Sequence, residues 1–159
     1  MNDTVLSKTS LLQNHLDLGA KMVAYSFYEM PVSYAGLKIE HQAVREDVGM
    51  FDVSHMGEFS VKGPDATLLL QSITSNDVST LSDGKIQYSC IPNGTGGIVD
   101  DLLVYREGEN DYLLVVNASN SEKDWKFIND KAQGLNVTLV DTSDAWTLIA
   151  LQGPKATEK

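Results

Sequence analysis

The chain has 159 residues, 42% of them hydrophobic and 21% charged, a balance that excludes a disordered or fibrous polypeptide and suits one ordinary globular domain. Twelve basic against 22 acidic side chains leave a formal charge of −10, which argues against nucleic acid or an anionic membrane surface as partner. A single cysteine, Cys90, excludes an internal disulfide framework and a multi-cysteine zinc site, and fits a reducing, cytoplasmic setting.

Residues 1–13 carry one lysine and no long apolar stretch, which speaks against a signal peptide or membrane-spanning helix. Asn-x-Ser/Thr triplets beginning at Asn2, Asn93, Asn117 and Asn136 are read as chance, since glycosylation needs a secretory route. Residues 37–48 mix Ile39, Ala43 and Val44 with charges and end at Gly49, the pattern of a short amphipathic helix closed by a left-handed glycine. Residues 58–62 alternate polar and apolar, and after Gly63-Pro64 the residues Ala66, Leu69, Leu70 and Ile73 fall at helical spacing, giving strand, turn, helix. Residues 98–106 and 112–117 form a hairpin across the five-residue loop 107–111. Ser121 and Asp124 resemble a capping box before Trp125 and Ile128, with Gly134 closing that helix, and residues 137–140 and 145–152 add two strands.

Val61-Lys62-Gly63-Pro64-Asp65-Ala66 recurs 90 residues later as Leu151-Gln152-Gly153-Pro154-Lys155-Ala156. Each copy reads as strand, Gly-Pro and helix start, so the chain is expected to be the first part of a longer duplicated protein. Strands alternating with helices, with hairpin-joined neighbours, favour an α+β fold with an antiparallel sheet and flanking helices over a doubly wound parallel one.

The segment Gly96-Gly97-Ile98-Val99-Asp100-Asp101-Leu102-Leu103-Val104-Tyr105 is apolar on both faces, as a strand buried on both sides would be. Alternation puts Asp100 with Leu102 and Val104, and Asp101 with Leu103 and Tyr105. A buried carboxylate is costly unless something pairs with it, so Asp101 is the first candidate for chemistry, with a structural capping or bulge role equally open. Pairing Tyr105 with Leu113 would set Asp101 opposite Asn117. Tyr88 reads as core by spacing, and Cys90 as a buried structural thiol. Asp52, Ser54 and His55 lie too close in sequence to justify a hydrolase triad, and no Gly-x-Ser-x-Gly elbow is present. His15, His41 and His55 lack metal-ligand spacing, so no metal is expected, and residues 94–97 are a turn rather than a phosphate loop.

Gly19-Ala20-Lys21-Met22-Val23, Glu29-Met30-Pro31, Ala43-Val44-Arg45, Val48-Gly49-Met50-Phe51-Asp52-Val53-Ser54-His55-Met56-Gly57, Ser75-Asn76-Asp77-Val78, Gly96-Gly97-Ile98-Val99-Asp100-Asp101-Leu102, Val115-Val116-Asn117-Ala118 and Leu151-Gln152-Gly153-Pro154 occur in this order. Together they resemble the glycine cleavage system T-proteins, the tetrahydrofolate-dependent aminomethyltransferases. The resemblance implies that residues 1–159 are the N-terminal part of a folate-binding domain, the rest of that domain and a C-terminal barrel domain lying beyond it. It implies transfer of a methylene carbon from the aminomethyl-lipoyl H-protein to tetrahydrofolate, the co-substrate, with release of ammonia. By position it makes Asp101 catalytic and sets Tyr88, Tyr105, Met56 and Asn117 around the folate. It implies a fragment that is inactive alone, since the pterin- and tail-binding residues belong to the family's later half. The alternatives are a folate-binding accessory protein of iron–sulfur cluster assembly, or a folate-dependent demethylase, from the same superfamily.

Overall fold

The computed structural model describes residues 5–158, so the Asn2 triplet lies outside the described residues. In chain order the elements are β1 (Ser7–Lys8), α1 (Leu12–Asp17), β2 (Lys21–Tyr25), β3 (Tyr28–Ser33), α2 (Leu37–Glu46), β4 (Gly49–Asp52) and β5 (Gly57–Lys62), then α3 (Ala66–Ile73) and β6 (Ile86–Pro92). They continue with β7 (Ile98–Gly108), β8 (Asp111–Val116), α4 (Ser121–Lys131), β9 (Thr138–Asp141) and β10 (Ile149–Gln152). These elements are α+β, and they divide into two compact units, one within Met1–His55 and Thr147–Lys159, the other Met56–Trp146.

In the first unit β3 pairs with β1 in parallel and with β2 antiparallel, and β4 pairs antiparallel with β10. The turn between β2 and β3 holds Ser26 at φ 46° and Phe27 at φ 70°. Two left-handed residues in succession match the twist of a tight hairpin, a geometry that sequences usually mark with Asn-Gly. Helix α2 ends at Glu46, and Gly49 is not its left-handed cap. Gly49 instead begins β4, where a Cβ would run into the Val44 side chain. Packing space rather than backbone conformation explains that glycine.

The second unit is a five-stranded antiparallel sheet in the order β6-β7-β8-β5-β9. Its inner face gathers Ile91, Leu102, Val104, Tyr112, Leu114, Val116, Phe59 and Val61 against Leu69, Leu70 and Ile73 of α3 and Ile128 of α4. The period-two alternation of β5 and β7 and the helical spacing of α3 bring these residues to one layer. Burying side chains of this size stabilises the layer by about 1.5–3 kcal/mol each before ordering entropy is counted. The strand buried on both faces is β8, from Tyr112 to Val116, and not β7. Strand β7 buries Leu102 and Val104 but leaves Asp101, Leu103 and Tyr105 half-buried on its other side. The β7–β8 hairpin is tighter than the sequence suggests, because the strands continue through Gly108 and Asp111 and Asn110 takes φ 57° in the turn.

The internal echo is structural as well. After β5, Gly63 has φ +127°, and the amide of Ala66 donates to its carbonyl at 2.9 Å. After β10, Gly153 has φ +130°, and the amide of Ala156 donates to its carbonyl at 3.1 Å. Both glycines sit where a Cβ would collide with a neighbouring backbone, Asn136 for the first and Asp47 for the second. One strand-to-helix turn is thus built twice, once in each unit.

Candidate functional site

The outer face of the second unit's sheet is fixed by register. Across β7 and β6, Asp101 lies opposite Cys90, Leu103 opposite Tyr88 and Tyr105 opposite Ile86. Across β7 and β8, Leu103 lies opposite Val115 and Tyr105 opposite Leu113. Asn117 follows Val116, the last paired residue of β8, and its side-chain amide reaches Asp101, donating to Oδ1 at 3.2 Å and to the carbonyl at 3.4 Å. The expected Asp101–Asn117 juxtaposition is therefore present. On the other side of β8, Gly57 pairs with Val116, so Met56 adjoins the same end of the sheet.

Tyr88 is 60% exposed, which rules out a place in the core. Its phenol faces the Asp101 carboxylate from the diagonal position, and that interaction and charge raise the phenol above its ordinary value. Tyr105 lies on the same face but four residues along the strand, on the order of 13 Å from Asp101. Cys90 is free and half-buried, so it is not the buried structural thiol that its neighbours suggested. Its register partner is Asp101.

A second layer of carboxyls lies under this row. Asp100 points to the inner face with Leu102 and accepts from the Asn117 amide at 3.1 Å. Burial alone would raise Asp100, but hydrogen bonds from Asp124, the Asp101 backbone, Asn120 and Asn117 outweigh it and hold the group below the usual range. Asp124, on α4, is 0% exposed. Burial first, then the hydrogen bond to Asp100 and its charge, push Asp124 up to about 7. The expected capping box is not formed: α4 begins at Ser121, and Ser121 Oγ donates to the Ala118 carbonyl at 3.3 Å. Asp124 escaped the sequence reading because it was assigned to a cap. Its spacing of four from Ile128 is the signal that puts it on the helix's buried side.

The first unit holds a separate polar chain. Tyr34 Oη lies 2.8 Å from His15 Nδ1, and His15 Nε2 lies 2.8 Å from Asp52 Oδ2, which also accepts from Thr9 at 2.7 Å. Burial would raise Asp52, but the bonds from His15, Ser54 and Thr9 outweigh it and lower the group. His55 makes no bond to Asp52; its ring meets Tyr25 and Tyr28 edge-on, and burial lowers its pKa. The local Asp52-Ser54-His55 cluster is thus no triad, and Asp52 instead ties α1 and β3 to β4. Residues 94–97 form the expected turn, with Asn93 Oδ1 accepting from the amides of Thr95 and Gly97, each at 2.9 Å. Among the described residues no helix is long and apolar enough to cross a membrane.

Comparison with known proteins places this arrangement in a family. The model of the GCVT N-terminal domain matches residues 11–159, and the chain belongs to that family. An aminomethyltransferase of Deinococcus deserti is 54% identical over 156 residues, covering 98% of this chain and 44% of the relative. One of Flavobacterium psychrophilum is 55% identical over 153 residues, covering 96% and 42%. The crystal structure of the glycine cleavage system aminomethyltransferase T of Bartonella henselae shares the fold with a TM-score of 0.90 and 34% identity, over 96% of this chain and 42% of that one. The chain thus spans less than half the length of the relatives it matches.

Proposed function

We propose that this chain supplies the aminomethyl-transfer face of a glycine cleavage system aminomethyltransferase, the protein that its relatives are named for. The observation that carries the reading is the row Tyr88, Asp101, Asn117: a carboxylate held by an amide, with a phenol near it, on a sheet face that stays open beside it. Such a donor and acceptor set fits tetrahydrofolate, whose amine nitrogens offer N–H groups and whose flat ring system suits an exposed tyrosine. Tetrahydrofolate would supply the nucleophilic nitrogens that accept the one-carbon unit.

The residues of the chain supply position and charge. Asn117 holds Asp101 Oδ1 in place, which keeps the carboxylate from rotating and prepays part of the ordering that transfer requires. The fixed anion then orients an incoming amine and stabilises positive charge on the carbon as ammonia departs, from a lipoyl-borne aminomethyl group of the H-protein. Asp101 need not remove a proton for this. Tyr88 stands beside the same carboxylate, which raises its phenol above the ordinary value. Met56 and Tyr105 would contribute apolar and aromatic surface at the two ends of the face.

The reading is tested with the chain joined to the remaining length that the relatives carry, supplied with aminomethylated H-protein and tetrahydrofolate. Methylenetetrahydrofolate and ammonia should form together. Folate binding with neither product would favour the accessory-protein reading, and turnover of an N-methyl substrate the demethylase.

A further inference from the structure

We propose that Asp124 is a positioning residue of the candidate site: as the protonated partner of Asp100 it fixes the acceptor that holds the Asn117 amide, and through Asn117 it fixes the Asp101 carboxylate. The inference rests on the transferase reading only for what Asp101 does; the linkage itself is a matter of geometry.

Asp124 is wholly buried, yet among the described residues no N–H or O–H group reaches either of its carboxyl oxygens. Asp100 Oδ2 is buried with no such donor as well. Two neighbouring buried carboxyls, one with neither oxygen and the other with only one oxygen supplied with a donor, cannot both be ionised, whereas one proton between them satisfies both. That proton belongs on Asp124, because Asp100 already receives the Asn117 amide on Oδ1 at 3.1 Å and is the better-stabilised anion. The Asp124 hydroxyl then donates to Asp100. The Asn117 amide is shared, donating to Asp100 Oδ1 at 3.1 Å and to Asp101 Oδ1 at 3.2 Å. Asn117 therefore joins the inner face of the sheet to the outer one. A change in the Asp100–Asp124 pair alters the acceptor on one side of this amide and thereby its hold on the other.

The charged and titratable groups around the pair are few. Strand β7 offers Asp101; α4 offers Lys123, whose Nζ is held on the Val99 carbonyl at 2.7 Å; β6 offers Cys90 and Tyr88. The connection from β8 to α4 offers Asn117 and Asn120, which are neutral. Helix α3, which packs on α4, carries no ionisable side chain.

The test follows the aspartate carboxyl carbons and the Asn117 side-chain amide by NMR while pH is raised from 4 to 9. The Asp124 carbon should titrate near neutrality, and the Asn117 amide should shift with the same midpoint. Ionisation of Asp124 in the ordinary carboxylate range, or an Asn117 amide that ignores its transition, overturns the proposal. Asp124→Asn keeps a donor to Asp100 but cannot titrate. It should hold the Asn117 amide at its low-pH position throughout, and in the full-length enzyme keep kcat within about twofold. Asp124→Leu should lower kcat about tenfold with the folate KM within about twofold. Equal losses in the Asn and Leu variants would reduce Asp124 to a structural part and overturn the positioning role. If Asp101→Asn leaves transfer intact, the transferase reading fails, while the NMR linkage is judged separately.

Discussion

Glu58 shows how much a single buried carboxyl on this sheet can govern. It lies on β5 opposite Val115, is 1% exposed, and neither carboxyl oxygen has a hydrogen-bond partner among the described residues. Burial, then the charge of Asp141, push it from its usual 4.5 to about 7. A carboxyl raised on folding favours the folded state only while protonated, so its stabilisation is complete below 4.5 and is lost as pH rises through 7. Asp124, raised from 3.8 to about 7, acts with the same sign. Asp52 and Asp100 are lowered, so their stabilisation is present above 3.8 and is lost only at more acid pH. Between pH 5 and 8 the two raised carboxyls outweigh His55, whose lowered pKa favours folding as pH rises toward 6.5, and the protein should lose stability across that window. Glu58→Gln should make the denaturation midpoint flatter there and raise stability at pH 8 by roughly 1–3 kcal/mol relative to the wild type. An unchanged pH slope in the variant would remove Glu58 as its source. At this scale the sequence revealed the meeting of Asp101 with Asn117, because strand alternation and hairpin register follow from spacing. Glu58 and Asp124 stayed hidden because each looked like an ordinary polar position, one in an alternating strand and the other in a helix cap. Burial comes from the layers packed over them.

The elements differ in how far local chemistry determines them. Strands β5 and β7, helix α3 and helix α4 carry hydrophobic periods of two or 3.6, strand β8 is a continuous apolar run, and the sequence places all five within a few residues. Strands β2 and β3 were not legible: their turn uses Ser26 and Phe27 in left-handed conformations, residues that give no turn signal. Strand β6 is hard to read because its alternating apolar residues Ile86 and Tyr88 lie on the exposed face while the buried face carries Ser89, although it pairs along β7 from Ile86 to Pro92. The Gly-Pro turns are the opposite case, since repetition alone exposed them. At Gly63 an added Cβ would lie 2.6 Å from the Asn136 carbonyl oxygen, on a backbone at φ +127°. Gly63→Ala should cost roughly 1–3 kcal/mol in chemical denaturation, and Gly153→Ala a comparable amount, because the same strain and close approach recur. Gly84, at φ +76° with open space around it, is the control for conformational strain without collision, and Gly84→Ala should cost less.

Over the whole molecule, apolar burial is uneven. Every residue of the hydrophobic core cluster falls between Phe59 and Ile128, in the second unit, whereas Met30 is the sole buried hydrophobic residue described in the first. Native-state hydrogen exchange should accordingly find the slowest amides in β5, β7 and β8, with β1 to β4 opening at lower free energy. Uniform protection across both units would contradict that division. The α+β class was legible because hairpins and amphipathic helices are local, but the division into two units was not, since β10 returns from residue 149 to pair with β4. The family adds what neither scale supplies: a chain of this fold, matched to aminomethyltransferases over nearly all its length, with Asp101 standing on the open face of its larger sheet. The most direct measurement of that claim is steady-state transfer by Asp101→Asn in the full-length enzyme, with folate affinity measured alongside. The expected result is a loss of kcat of about a hundredfold or more with folate binding retained within about tenfold; transfer at the wild-type rate would contradict it.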